Sequence, residues 1–178
     1  PPRFIGAGLV EEAGRTGSCF PSGDLSAKLN DAAITIQKEM ESASEMEIVF
    51  YQKTGIGNGS QANNPWLQEL PDPVSKVCWD NYLTMSPKQM RELGLSTKLG
   101  QKEESDIVEL TVNGVTAKIP VFPQPGQLYG TMGLAVGYGR THAGKIANGL
   151  GVNAYPFLRF ENGYIQYNST NASISGSI

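Results

Sequence analysis

The sequence predicts a mainly β domain, a small barrel or sandwich carrying short helices, and three observations lead there. It holds 21 glycines and 11 prolines in 178 residues, a share that calls for many turns. Two Asn-Gly pairs, Asn113-Gly114 and Asn162-Gly163, each lie between apolar alternating segments, the pattern of a tight hairpin. The apolar segments are short, and the length suits one domain with a real core.

Residues 1–23 are Gly-rich and without periodicity, which predicts a loop or arm. Leu25, Leu29, Ala32, Ile36 and Met40 recur at helical spacing behind Asp24, a suitable N-cap, and predict a helix over 24–42. Met46, Ile48 and Phe50 alternate with Glu47, Val49 and Tyr51, as in a strand. TGIGNGSQANN follows as a loop, and the segment from Asn63 to Asn81 reads as extended loop. Over 86–93 a short helix is predicted: Ser86 as N-cap, Pro87 at the first position, Gln89 completing a capping box, Met90 and Leu93 on one face, and Gly94 as the stop. IVELTV (107–112) and VTAKIPV (115–121) form the first hairpin. Pro125-Gly126 turns the chain into a strand over 127–136, and a Gly-rich loop runs from Gly137 to Gly151. FLRF (157–160) and YIQY (164–167) make the second hairpin. NSTNASISGSI reads as a frayed polar tail. The chain thus divides into an arm and helix (1–44), a barrel domain (45–167) and a tail (168–178).

Fourteen basic against seventeen acidic residues give a net charge of −3, which argues against general binding to nucleic acid or acidic lipid. No apolar run is long enough to span a bilayer. The chain opens Pro-Pro-Arg, and we read it as a piece of something longer. Cys19 and Cys78 alone make neither a four-thiolate iron–sulfur cluster nor a zinc site, so two idle thiols are expected. Between Glu109 and Glu161 there is no Asp or Glu, while Lys118, Arg140, Lys145 and Arg159 give a local +4. That stretch suits an anion, or it is simply buried strand that excludes charge.

GRTHAGK (139–145) matches half of a phosphate-binding loop. Ile146 stands where a Ser or Thr would hold magnesium, and ANGLGVN is a poor helix former, so nucleotide hydrolysis is excluded and at most a backbone cradle remains. His142, the only histidine, is expected as a surface loop residue without a catalytic partner. Asn58, Asn168 and Asn171 begin glycosylation triplets, which chance also supplies. Glu69 and Asp72, followed by a proline two residues and one residue on, suit a fixed loop better than acid–base work. The informative segment is NNPWLQELPDPVSKVCWDN (63–81), whose amides and indoles match the edges and faces of a flat heterocycle.

The order NNPWLQELPDP, WDN, SPKQMRELGL, then IVELTVNGVTAKIPVFPQPGQLYGTMGLAVGYGRTHAGK resembles the C-terminal dinucleotide-binding domain of the molybdopterin oxidoreductases, over about residues 45–167. GYGRTHAGK and NNPWLQELPDP resemble one branch in particular, the large iron–sulfur subunit of alternative complex III, a quinol-oxidising, membrane-attached respiratory assembly of bacteria. The resemblance implies a double-psi β-barrel of the aspartate-decarboxylase type. By position it implies Asn63, Asn64, Trp66 and Gln68 as a first cofactor-gripping loop, Gly137, Gly139 and Arg140 in a second, and Asn153 after it. It implies molybdopterin guanine dinucleotide as the cofactor of the parent family, with no metal or iron–sulfur cluster and no catalytic residue in this fragment. The expected partners are the remaining domains of the same polypeptide and other subunits of a respiratory complex on the periplasmic side of a bacterial membrane, with no nucleic acid and no membrane span in this piece. The dinucleotide is either gripped here, or the site is a relict and the domain a scaffold in electron transfer, the reading we prefer. The rival is a stand-alone barrel binding a small anion through residues 137–151.

Overall fold

A computed structural model describes residues 25–41, 45–100, 104–161 and 163–177. The expected arm over 1–23, its Cys19 and the Asp24 cap lie outside the described residues. The chain divides into two units, Pro1–Glu41 and Ser42–Ile178. In the first, helix α1 spans Leu25–Glu41. Its Leu29, Ile34 and Ile36 are exposed.

The second unit is a β-barrel with small α additions. Its strands are β1 (Glu47–Tyr51), β2 (Leu83–Met85), β3 (Ile107–Val112), β4 (Val115–Pro123), β5 (Thr131–Ala135), β6 (Arg159–Glu161), β7 (Tyr164–Gln166), β8 (Asn168–Ser169) and β9 (Ala172–Ser177). Helices α2 (Pro65–Glu69) and α3 (Pro87–Glu92) and a 3₁₀ turn at Tyr155–Phe157 decorate it. Seven strands form one sheet in the order β8-β1-β5-β2-β4-β3-β9, and β6 pairs only with β7. Laid flat, six strand spacings would separate β8 from β9 by about 29 Å. Yet only Thr170 and Asn171 join them in the chain, so the sheet has to curl until its ends nearly meet. Two parallel pairs, β1 with β5 and β2 with β4, sit on either side of the antiparallel pair β2 and β5. The crossing connections between these pairs bring distant loops to one end.

The segment expected as a frayed tail is instead β8 and β9, which pair with β1 and β3. Its alternation of small polar side chains carries little apolar signal, so its strand character comes from the free edges it fills. Asn113 helps hold this closure. Its backbone N–H donates to the Asn171 carbonyl at 3.4 Å, its Oδ1 accepts from the Ser169 hydroxyl at 3.2 Å, and its Nδ2 donates to the Phe157 carbonyl at 3.1 Å.

The core follows from alternation. Ile48 and Phe50 point inward from β1, Val108, Leu110 and Val112 from β3, and Ile119 and Val121 from β4. Phe157 lies fully inside, its ring stacked on Phe50 with centroids 6.1 Å apart. Strand β2, which the sequence reading missed, is buried at all three residues. A strand covered on both faces shows no alternation.

Helix α3 stops as expected. The N–H of Leu95 reaches the Met90 carbonyl at 2.8 Å, and that of Gly94 reaches the Arg91 carbonyl at 3.1 Å. This is a Schellman turn around Gly94, whose φ is 74°. Leu95, not Leu93, packs with Met90; Leu93 is exposed. The expected capping box is absent, because Ser86 makes no side-chain cap bond. Gln89 Oε1 instead accepts from the Gly130 N–H at 3.0 Å, tying the helix to the turn before β5. That turn occupies 127–130, so β5 begins at Thr131, later than expected.

Candidate functional site

The two loops that the sequence singles out lie against each other. Asn63 Oδ1 accepts a hydrogen bond from the Ile146 N–H at 3.0 Å. A Cβ built on Gly144 would fall 2.4 Å from the Asn63 amide nitrogen. One on Gly59 would fall 2.3 Å from the Gly137 carbonyl oxygen, and one on Gly139 would fall 2.1 Å from the Asn153 nitrogen. Glycine is therefore the residue that lets these backbones touch. Arg140 Nη2 and the Tyr155 hydroxyl both donate to the Asn58 carbonyl, at 3.2 and 2.8 Å. Beneath the loops Ile56, Ala62, Ala135, Tyr138 and Ala147 form a small core of their own.

Asn64, expected as a cofactor ligand in an extended loop, caps α2. Its Oδ1 accepts from the Trp66 N–H at 3.0 Å, and Pro65 takes the first helical position. The Asn-Pro pair was the legible signal for this helix. Trp66 is 81% exposed. Gln68 is buried; its Nε2 donates to the Ala62 carbonyl at 3.0 Å, and its Oε1 has no protein partner. Asn153 Oδ1 accepts from the Tyr155 N–H at 3.1 Å. Gly137 is buried, and Gly139 and Arg140 are half-buried.

Asn63, Asn64, Asn153 and the Arg140 Nη2 thus each bond within the loops, while the buried Arg140 Nε and Gln68 Oε1 have no protein partner. The second loop's backbone is similarly engaged. The N–H groups of Gly139, Ala143, Gly149 and Val152 donate to Leu150 O, Asn148 Oδ1, Arg140 O and Asn81 Oδ1. A cleft of about 340 Å³ lies nearby, lined by Gln52, Thr54, Asn58, Ser60 and Gln61 among others, and none of the eight expected residues lines it.

The sequence reading quoted Asn81 without a role. It is fully buried, donating Nδ2 to the Ala135 and Val152 carbonyls at 2.9 Å each and accepting from the Val152 N–H at 2.8 Å. One amide thus joins the end of β5, the second loop and the segment before β2. Lys53 was missed altogether. It is 6% exposed, its Nζ donating to the Asp80 carbonyl at 2.8 Å and lying 4.1 Å from the Tyr82 ring centroid and 5.3 Å from that of Tyr138. Burial pulls its pKa down to about 8, against the opposing pull of Asp72, Asp80 and Cys78.

Asp72 builds a turn, as expected of a fixed loop. Its Oδ1 accepts from the Val74 and Ser75 N–H groups at 3.0 and 2.9 Å and from the Ser75 hydroxyl at 3.1 Å. Burial alone would raise this carboxyl. These bonds and the Lys53 charge outweigh it and hold the group below the usual range. Ser75 Oγ also contacts the Tyr82 hydroxyl. Cys78 is a half-buried free thiol whose S–H reaches the Glu69 carbonyl at 3.2 Å. His142 is exposed, with Nδ1 3.0 Å from the Thr141 hydroxyl. Residues 145–147 form a turn, so no helix follows GRTHAGK. Among the described residues no three His, Cys, Asp or Glu side chains gather to hold a metal ion, and no helix is long and apolar enough to cross a membrane.

No family model matches the sequence, and no curated protein does. Among solved structures the chain is similar to acetylene hydratase from Pelobacter acetylenicus, with a TM-score of 0.52 at 12% identity. The match covers 93% of this chain and 22% of that one, so this chain spans under a quarter of its neighbour's length. At this identity the likeness is one of fold: the barrel is built like part of that enzyme.

Proposed function

We propose that this chain is a barrel domain of a molybdopterin-type oxidoreductase subunit, and that it serves there as a scaffold with a relict cofactor site. Acetylene hydratase is a molybdopterin-family enzyme, and the likeness in fold supports the coarser part of this reading. The finer part, a subunit of a quinol-oxidising assembly like alternative complex III on the periplasmic side of a bacterial membrane, is supported by the sequence resemblance of NNPWLQELPDP and GYGRTHAGK alone. Its partners would be the other domains of the same polypeptide and neighbouring subunits. Exposed Trp66 and Val74 supply apolar surface for such contact.

One observation favours scaffold over cofactor grip: Asn63 spends its side-chain oxygen on the Ile146 N–H, a bond between the two loops themselves. The same engagement of loop N–H groups weighs against the anion-binding rival. Titration of the chain with a guanine nucleotide, followed by calorimetry, tests the reading. Binding weaker than millimolar is expected, and saturable micromolar binding would overturn the scaffold role. Stoichiometric molybdenum and pterin in the purified parent assembly would overturn it as well.

A further inference from the structure

Between the segment 67–79 and the rest of the barrel unit lies a small pocket of about 10 Å³, bordered by Lys53, Leu67, Gln68, Asp72, Trp79 and Tyr138 among others. That is the volume of about one water-sized probe. Two of its walls are polar groups taken out of bulk water. Gln68 is 2% exposed, its Nε2 is committed to the Ala62 carbonyl, and its Oε1 faces no protein donor. A buried acceptor without a partner is strongly disfavoured. Flipping the amide would not help, since it would set the oxygen against the Ala62 carbonyl. Lys53 Nζ carries three protons, and the Asp80 carbonyl accepts one at 2.8 Å.

We infer that this cavity is a specific site for a single water molecule, which donates to Gln68 Oε1 and accepts from Lys53 Nζ. The chemistry selects that occupant. The volume admits one heavy atom. The Lys53 ammonium and the Asp72 carboxylate both border the cavity and offset each other's charge, so neither a cation nor an anion is called for. What remains is a neutral molecule that both donates and accepts. Such a water would join α2, through Gln68, to the segment after β1, through Lys53, two parts of the barrel unit linked here by no direct side-chain bond between those residues. The inference does not depend on the proposed cofactor history.

A crystal structure of the chain at about 1.5 Å or better is the direct test. A density peak within hydrogen-bond reach of both Lys53 Nζ and Gln68 Oε1 is expected. A dry cavity, a peak out of reach of Gln68 Oε1, or anomalous scattering marking an ion would overturn the proposal. Unfolding equilibria of Gln68→Met, Lys53→Met and the double variant give a second test. A shared water predicts that the double variant's unfolding constant differs from the product of the single effects by about fivefold or more. Independent effects would count against it. The crystallographic arm stands even where a variant fails to fold.

Discussion

Asn63 and Ile146, 83 positions apart in the chain, are joined by a side-chain to backbone hydrogen bond of 3.0 Å. The bond links the first turn-rich loop after β1 to the Gly-rich loop after β5. It is possible because β1 and β5 run parallel in register, Glu47 opposite Thr131 through Tyr51 opposite Ala135. Two parallel neighbours deliver their following loops to the same end of the sheet.

Asn81 is expected to be the most sensitive polar residue of this end. Asn81→Ala leaves the Ala135 and Val152 carbonyls and the Val152 N–H without their partner. A loss of roughly 3 kcal/mol or more is expected from stranding several buried groups. Urea denaturation measures it, and a loss below about 1 kcal/mol would show that water replaces the amide.

Two glycines with similar backbone angles separate crowding from strain. Gly139 (φ 71°) has the Asn153 backbone against it, whereas Gly149 (φ 74°) has open space. Both alanine variants bear the left-handed cost of about 1 kcal/mol. Gly139→Ala is expected to lose at least about 2 kcal/mol more through overlap. Equal melting temperatures for the two variants would refute the close approach of the loops.

Hairpin register is tested at Gly114 and Gly163, both at positive φ (82° and 84°). Replacing either by Val is expected to cost roughly 1 kcal/mol or more. An unchanged thermal midpoint in both variants would contradict the turns.

Lys53 makes stability depend on alkaline pH. Its folded pKa of about 8 lies below the ordinary 10.5, so between those values the unfolded chain binds more protons and stability rises with pH. Tyr51 and Tyr138 act the other way. Burial first, then neighbouring charges, push both hydroxyls far above their usual 10, so their contribution is lost as pH climbs beyond that value. The denaturation midpoint is expected to rise from about pH 8 to about pH 10 and fall thereafter. In Lys53→Met the rise should vanish and the fall persist; a rise that survives in this variant would refute the assignment.

Trp66, 81% exposed, contributes little to the isolated fold. Trp66→Ala is expected to stay within about 0.5 kcal/mol of the parent stability, while under the proposed function its association with other domains of a parent polypeptide weakens in a pull-down of defined components. A large stability loss would place the indole inside the barrel unit.

How much was legible follows from the reach of each signal. The alternation of β1, the Asn113-Gly114 hairpin of β3 and β4, and the α3 helix with its Gly94 stop rest on contacts within a few residues, and they read correctly. The Asn64-Pro65 start of α2 was equally local and was overlooked inside a loop. For the eight residues that the resemblance implied, the structure shows that their two loops meet. The resemblance did not reveal that Asn64 caps a helix, that Gln68 faces inward, or that Asn153 accepts from the Tyr155 N–H. Nor did it single out Lys53, whose burial depends on rings at Tyr82 and Tyr138 far along the chain.

The sequence by itself determined a turn-rich β domain, the positions of its strong strands and one well-stopped helix, since local geometry and side-chain alternation suffice for these. Tertiary structure alone decided that Leu83–Met85 is a central strand, that the polar segment after Tyr167 completes the sheet, and that Gln89 serves Gly130 and not its own helix. The reason is the closing of the sheet. Strands β8 and β9, two residues apart in the chain, have to fill edges at opposite ends of the strand order. The pairings that close it join residues too far apart for any local pattern to encode.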